Sequence, residues 1–266
     1  MKLTKKLIPA LGMLVLSACM LVTSTFAWFS MNDTVTATGM SVTAKGEQVY
    51  LQIINPNGTG TGTNNDKEFV PGKAQTVSNA TTDANKALLP TNVYKAFDAT
   101  SPTPYDGLGA DMVWVTAIGK SNTDGTKEGN YEDKTTTADG TLYIKNTFSI
   151  RLDPTAGAAN SSAPLKVKAV TVGGDTADVF EDCLSVLVVC TYGGTTQGDL
   201  WDYKDGTFAH NTATQATLTN GNLTKDTVAT VDIYVFFNGD NANCTLEKLG
   251  LAANSGYTVE VAFTCV

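Results

Sequence analysis

Apolar and polar residues alternate along several short segments of the chain, and no long segment follows a helical period. Because successive side chains of a strand point to opposite faces, each such segment predicts a strand with one inward face. The predicted inward positions are Leu142, Ile144, Phe148, Ile150 and Leu152; Leu184, Val186, Val188 and Cys190; Ala229, Val231, Ile233, Val235 and Phe237; and Tyr257, Val259, Val261, Phe263 and Cys265.

Further strands are expected over residues 48–53, 112–118 and 165–172, with turn clusters rich in Gly, Asn and Asp between them. Residues 80–89 suit one short helix, and residues 55–67 and 120–140 are polar enough to predict long loops. Many short strands at this spacing predict an all-β fold. We expect a two-sheet antiparallel sandwich of jelly-roll type, with long polar loops and at most one or two short helices.

The first 27 residues have the form of a secretory signal peptide. Three lysines precede an uncharged, apolar stretch over residues 7–29. Small residues before Trp28 suit signal peptidase cleavage between Ala27 and Trp28. We therefore expect a secreted protein, extracellular or at the cell surface, with residues 28–39 as an N-terminal arm and residues 40–266 as a single domain.

Two other interpretations of the signal stay open. Residues 16–19 (LSAC) have the form of a lipobox, in which Cys19 would carry the acyl chains of a lipid anchor. Residues 7–29 are also long enough to span a bilayer, since about 20 apolar residues suffice. The sequence predicts no second hydrophobic anchor near the C-terminus, so membrane contact is expected only through the signal or a lipid.

Acidic residues outnumber basic ones. The formal net charge is −8, and removal of the first 27 residues, which hold three lysines and no acid, takes it to −11. A negative surface disfavours nucleic acid and anionic lipid as partners. Charged residues make up 17% of the chain, and the Thr, Asn and Gly that replace them favour strands and tight turns.

The first strand after the signal changes phase near Gly39. Val35 and Ala37 share one face, whereas the alternation from Met40 onward falls on the other. Because the side-chain period of a strand is two, this switch predicts a bulge, a bend or a change of sheet. One interpretation is a bulge in an edge strand. The other is an arm over residues 28–38 that pairs with a neighbouring subunit. The arm residues would be Trp28, Phe29, Val35, Ala37 and Gly39.

Catalytic motifs are missing from the sequence. The one histidine, His210, lies in a loop-like polar stretch, and there is no zinc-protease pair, Gly-x-Ser-x-Gly elbow or phosphate-binding loop. A carboxylate-pair hydrolase leaves no local signature, so we favour a solvated surface for the abundant acids. Residues 238–243 (NGDNAN) carry oxygen ligands for Ca²⁺ but depart from EF-hand spacing. A hairpin turn is expected there first. The sequence thus predicts no enzyme and no cofactor, with a weak signal for Ca²⁺.

Four cysteines follow the signal. Cys183 and Cys190 lie seven residues apart on one predicted strand, so their side chains face opposite ways and should not bond each other. An even count in an exported protein permits two disulfides in three connectivities, and buried thiols fit the same sequence. Among the pairings, Cys183–Cys244 and Cys190–Cys265 are preferred.

Several segments carry a family resemblance. Residues 25–32 (TFAWFSMN) and 35–42 (VTATGMSV) resemble the signal junction and first strand of the SipW-dependent secreted proteins of Gram-positive bacteria, the TasA-like and camelysin-like biofilm fibre group. Residues 143–148 (YIKNTF) and 231–244 (VDIYVFFNGDNANC) look similar to its clostridial members. The resemblance implies a jelly-roll subunit, cut by a dedicated signal peptidase, that forms extracellular fibres by N-terminal strand exchange. Camelysin-like proteins are also labelled metalloproteases, and no zinc motif supports that label here.

Two functions from different classes follow. The first is a non-enzymatic, homopolymeric subunit of a cell-surface or biofilm-matrix fibre, with the signal peptidase as its partner during export. The alternative is a surface-displayed glycan- or host-binding sandwich, anchored through Cys19 as a lipoprotein. Its aromatic platform would be Trp114, Trp201 and Tyr203.

Overall fold

The computed structural model describes residues 35–36, 41–46, 51–56, 69, 75–78, 87–88, 90–97, 102–118, 130–133, 142–153, 163–173, 183–204, 206–225, 227–241, 244 and 258–265. Residues Val35–Val266 form one compact unit. Within the described ranges the chain forms strands and turns and no helix. The strands are β1 (Val35–Thr36), β2 (Ser41–Gly46), β3 (Leu51–Ile54), β4 (Gln75–Ser78), β5 (Ala87–Leu88), β6 (Thr91–Ala96), β7 (Thr103–Pro104), β8 (Val113–Ile118), β9 (Asn130–Asp133), β10 (Ile144–Leu152), β11 (Lys166–Gly173), β12 (Leu184–Tyr192), β13 (Thr195–Lys204), β14 (Thr207–His210), β15 (Ala229–Phe237) and β16 (Thr258–Thr264).

These strands form three larger sheets and one small sheet. The six-stranded sheet has the order β14-β13-β12-β15-β10-β3. The sheet that we call the β16 sheet has the order β11-β16-β2-β4, and the β6 sheet has the order β7-β6-β8-β9. A separate ladder joins β1 to β5. All neighbouring strands are antiparallel except β2 and β16, which run parallel. The predicted all-β sandwich is confirmed.

The first core lies between the six-stranded sheet and the β16 sheet. Phe148 and Ile150 of β10 and Val261 and Phe263 of β16 belong to this core, and all four side chains are fully buried. Full burial of a large apolar side chain contributes roughly 1.5–3 kcal/mol to folding. The predicted inward residues of β10, β12, β15 and β16 pack in or against this core, whereas the prediction is wrong for Leu142, which lies in the second core described next.

A second core covers the opposite face of the six-stranded sheet. Leu187 of β12 and Tyr234 and Phe236 of β15 are buried there against Val93 of β6 and Trp114 of β8. The Trp114 ring lies 5.5 Å from the Tyr234 ring and 5.2 Å from the Phe236 ring. Strands β12 and β15 are therefore buried on both faces, and the expectation of one inward face is wrong for them. The β6 sheet adds a third layer to the sandwich.

Some predicted elements differ from the observed ones. Residues 87–88 are a strand rather than the end of a helix, because Ala87 and Leu88 pair with β1. The stretch around His210 is strand β14 rather than loop, because it pairs with β13. Strand β9 falls inside the loop expected over residues 120–140 and pairs with β8. In each case the pairing with another strand sets the structure, and the local sequence does not indicate that pairing.

The Gly193-Gly194 pair closes the hairpin of β12 and β13. Both residues have positive φ, 58° and 80°, as a two-residue type I′ turn requires. Since this turn geometry matches the right-handed twist of the flanking strands, it sets the register in which Tyr192 opposes Thr195. The long β12–β13 pairing brings the polar residues of β13 into the six-stranded sheet.

The predicted phase switch after the signal corresponds to a change of sheet. Val35 and Thr36 pair with Leu88 and Ala87 in the small ladder, whereas β2 lies between β16 and β4 in the β16 sheet. The expected cleavage and arm residues Ala27, Trp28, Phe29, Ala37 and Gly39, and the lipidation candidate Cys19, lie outside the described residues.

Across the described part of the chain, no helix has the length and apolar character needed to cross a bilayer.

Candidate functional site

A polar cleft of about 160 Å³ lies where the β6 sheet meets the six-stranded sheet. Its walls come from β6, from β13, from the turn after β14 and from the turn after β15. Its polar lining is formed by Asn92, Tyr94, Asp202, Asn211, Asn238 and Asp240, and we call this set the polar cleft. Two of its lining residues are acidic and none is basic.

The turn after β15 is tied to β6 by the backbone. Asn238 forms a bridge with Thr91, and the Gly239 amide donates to the Thr91 carbonyl oxygen over 2.9 Å. The Asn238 amide donates to the Cys183 carbonyl oxygen over 2.8 Å. The chain turns here, as expected. The predicted hairpin is wrong, because β15 pairs with β10 and β12, whereas the next strand, β16, lies in another sheet.

Asp240 is held by two side chains of β6. The Asn92 carboxamide donates to Asp240 Oδ2 over 2.6 Å, and the Tyr94 hydroxyl donates to the same oxygen. Asn92 Oδ1 accepts from the Val93 amide over 2.8 Å, which fixes the orientation of the carboxamide. Hydrogen bonds to a charged acceptor are shorter and stronger than neutral ones. The Asp240 carboxylate is therefore fixed in place at one wall of the cleft.

Asp202 is held at the opposite wall by three donors. Ser185 and Asn238 donate to Oδ1, and Asn211 donates to Oδ2 over 2.8 Å. Asn238 also donates to Ser185 Oγ over 3.2 Å and accepts from the Asp240 amide over 3.0 Å. Asn238 thus connects the two acidic walls of the cleft.

Apolar side chains complete the lining. Pro102, Pro104 and Ala213 lie at the more exposed part of the cleft, and Val93 and Leu200 lie deeper. Tyr105 is buried beside them, and its hydroxyl donates to the Gly109 carbonyl oxygen over 3.1 Å. Burial, with a smaller contribution from the charge of Asp106, raises the pKa of Tyr105 well above its usual range, so this hydroxyl stays protonated.

His210 has a carboxylate partner that the sequence did not indicate. Its Nδ1 lies 2.5 Å from Oδ1 of Asp199 in β13, and Trp201 Nε1 donates to Asp199 Oδ2 over 2.8 Å. Burial raises the pKa of Asp199, and the two hydrogen bonds act against that shift. Among the described residues, no hydroxyl or thiol is hydrogen-bonded to His210, so these side chains hold β13 against β14 without forming a nucleophile–base pair.

The four cysteines are buried thiols in the structure. Cys183, Cys190, Cys244 and Cys265 all belong to the first core. Cys190 and Cys265 are close enough for the charge of one to raise the pKa of the other. The disulfides Cys183–Cys244 and Cys190–Cys265 stay a prediction, which alkylation of the unfolded secreted protein with and without reductant tests.

The three aromatic residues of the expected platform do not share one surface. Trp114 is buried in the second core, whereas Trp201 packs against the first core beside His210. Tyr203 meets Phe208 edge to face, with ring centroids 5.3 Å apart. Among the described residues, the polar cleft is a concave feature that none of these three aromatic side chains lines.

The candidate Ca²⁺-binding segment over residues 238–243 contributes two residues to the polar cleft. Asn238 and Asp240 belong to it, but the Asn92 N–H and the Tyr94 O–H already donate to Oδ2 of Asp240. In the part of the chain that the structure describes, no three His, Cys, Asp or Glu side chains converge as metal ligands. Asn92, Asp202 and Asn211 were not indicated by the sequence, because each comes from a different segment.

Comparison with family models, with curated proteins and with solved structures found no match to this chain.

Proposed function

We propose that the chain is an extracellular, non-enzymatic structural subunit that forms a cell-surface or biofilm-matrix fibre through its N-terminal segment. The observation that carries the proposal is the position of β1. Among the described residues, Val35 and Thr36 pair with Leu88 and Ala87 and with no other strand, in a ladder of two residue pairs. The next strand, β2, belongs to a different sheet.

The difference in pairing between β1 and β2 supports the proposal that the first segment exchanges and that β2 stays in its own subunit. β2 pairs with β16 over six residues and with β4 over four, and Val42 and Ala44 are fully buried. A typical hydrogen bond contributes about 0.5–1.5 kcal/mol net, so two residue pairs hold β1 weakly. A longer pairing of residues 28–38 with the sheet edge of another copy would outweigh that loss.

Such an exchange is a head-to-tail contact. Each subunit offers an arm at one end and an acceptor edge elsewhere, so the contact does not close on itself and produces a filament. The signal-like first 27 residues and the net charge of −11 that their removal leaves support an extracellular location. The arm then becomes the mature N-terminus.

The test is electron microscopy of the secreted protein and of a variant that lacks residues 28–38. We expect filaments from the parent and monomers from the deletion variant. A Thr36→Pro variant, which removes one backbone donor from the arm, should shorten the filaments. Val228→Ala, at a residue that is 45% exposed, is the matched control. Filaments of normal length from the deletion variant would contradict the proposal.

A surface-displayed glycan- or host-binding module is the alternative function. It differs in its mature N-terminus, because anchoring would leave an acylated Cys19, whereas the fibre subunit begins at Trp28. Mass spectrometry of the native N-terminus separates the two. A diacylated Cys19 contradicts the free fibre, and a start at Trp28 contradicts the lipoprotein.

A further inference from the structure

We propose that the polar cleft binds one neutral sugar ring, with Asp202 and Asp240 as the acceptors of its hydroxyl groups. This goes beyond the fibre proposal and does not depend on it, because the cleft is built within a single copy of the chain. Its volume of about 160 Å³ is below the roughly 300 Å³ at which pockets for drug-sized ligands begin. One pyranose ring is an occupant of suitable size.

The cleft offers donors and acceptors side by side. Asn92 and Asn211 each use one N–H on a carboxylate, and the described residues supply no partner for the second N–H of either carboxamide. The neighbouring Asp202 and Asp240 supply carboxylate oxygens. A sugar hydroxyl both donates and accepts, so an adjacent pair of hydroxyls can donate to a carboxylate and accept from the carboxamide beside it.

The acceptors are fixed before any ligand arrives. Ser185, which is 1% exposed, donates to Asp202, and the turn that carries Asp240 is bound to Thr91 through the backbone. Ligand binding therefore does not have to order these side chains, and the entropic cost of binding is lower than on a flexible surface.

The same geometry disfavours other small ligands. A metal ion or an ammonium group would use the carboxylate oxygens alone and would leave the second N–H of Asn92 and of Asn211 without an acceptor. An anion would meet two carboxylates and no basic residue in the lining. The exposed apolar wall of Pro104 and Ala213 suits the C–H face of a sugar ring.

The experiment is calorimetric titration of the secreted protein with glucose, galactose and N-acetylglucosamine, with CaCl₂ and free lysine in parallel. We expect saturable binding of at least one sugar with a Kd in the millimolar range. Asp202→Asn and Asp240→Asn each remove a charged acceptor and should weaken that binding about tenfold or more. Glu260→Gln is the matched control, because it neutralises a part-buried carboxylate, paired with Lys45, in the β16 sheet.

A second variant distinguishes a loss of sugar binding from a loss of folding. Ala213→Phe fills the rim of the cleft and leaves the hydrogen bonds of both acids in place, so it should abolish sugar binding with an unchanged melting temperature. Three results would overturn the proposal: no binding of any of the sugars, sugar binding that the cleft variants leave unchanged, or saturable binding of CaCl₂ or lysine instead.

Discussion

The Gly107 carbonyl oxygen accepts a hydrogen bond of 2.8 Å from the Gly198 amide. The contact joins the segment after β7 to the part of β13 that lies beyond its pairing with β14. A Cβ atom on Gly107 would lie 2.3 Å from the Gly198 carbonyl oxygen and 2.6 Å from the Gln215 nitrogen. Both are backbone atoms, so no side chain can move aside to relieve the clash.

Gly107→Ala should therefore destabilise the protein strongly. The residue has φ of +74°, which alone costs about 1–2 kcal/mol for a residue with a Cβ. With the clash, we expect the free energy of unfolding to fall by about 3 kcal/mol or more. Gly109→Ala is the matched control, because φ is +83° with nothing within 4 Å, and it should cost only about 1–2 kcal/mol. Equal losses in urea titrations of the two variants would contradict this account.

Substitution of two threonines in one turn measures how much a buried hydrogen bond contributes to stability. Thr214 Oγ1 accepts from the Leu200 amide over 3.0 Å and is buried, whereas Thr212 is exposed in the same turn. Thr214→Val keeps the shape and leaves the Leu200 donor without its partner, which should cost about 1–3 kcal/mol. Thr212→Val should change stability by less than about 0.5 kcal/mol. Thermal unfolding of both variants provides the comparison.

Trp114→Ala tests whether the β6 sheet is part of one cooperative fold. The ring packs against Tyr143, Tyr234 and Phe236, and removal of a buried Trp costs about 3–5 kcal/mol. We expect one unfolding transition, shifted to lower denaturant concentration, by both fluorescence and far-UV circular dichroism. A variant with two separate transitions, or with unchanged stability, would show that the third layer folds independently.

The buried thiols predict a loss of stability at high pH. Burial is the main cause that raises the pKa of Cys190 and of Cys265 from 9.0 to about 12. Each folded-state pKa lies above the unfolded value, so the stabilisation is complete below about pH 9 and is lost as pH rises towards about 12.

The measurement is a series of urea titrations in reductant between pH about 8 and about 11. Lysine and tyrosine residues also titrate there, so the comparison is with a Cys190→Ala, Cys265→Ala variant. The variant should be less stable throughout, and its stability should fall less steeply with pH. Parallel pH profiles would mean that the thiols do not contribute.

Local alternation was sufficient for the strands of the first core. Phe148, Ile150 and Leu152 share a parity, and burial follows it. Strand β12 does not reveal how many layers cover it, because Leu187 and Val189 on its second face are as apolar as the residues of its first face. Its second buried face follows only from the packing of Leu187 beside Tyr234 and Phe236. A two-layer sandwich was therefore as consistent with the sequence as three layers.

The polar cleft could be predicted only in part. Asn238 and Asp240 stood out as oxygen-rich turn residues, but Asn92 and Asp240 are 148 positions apart in sequence. Asp202 is one of several polar residues on β13, so nothing in the local sequence distinguishes it. The Gly193-Gly194 pair favours a hairpin at that point of the chain, but it does not indicate a site. Sites assembled from distant segments depend on topology, and no window of sequence contains that information.

The parallel pairing of β2 with β16 has a consequence for how the chain is made. Ser41 and Thr258, which are 217 positions apart, lie opposite each other in neighbouring strands at the centre of the β16 sheet. Because β2 has no parallel neighbour until β16 arrives, most of the chain must emerge from the ribosome before this sheet can close. Pairing between distant segments is slow, so closure of this sheet is expected to be a late step of folding. Under the proposed secretion, that step would follow transport across the membrane.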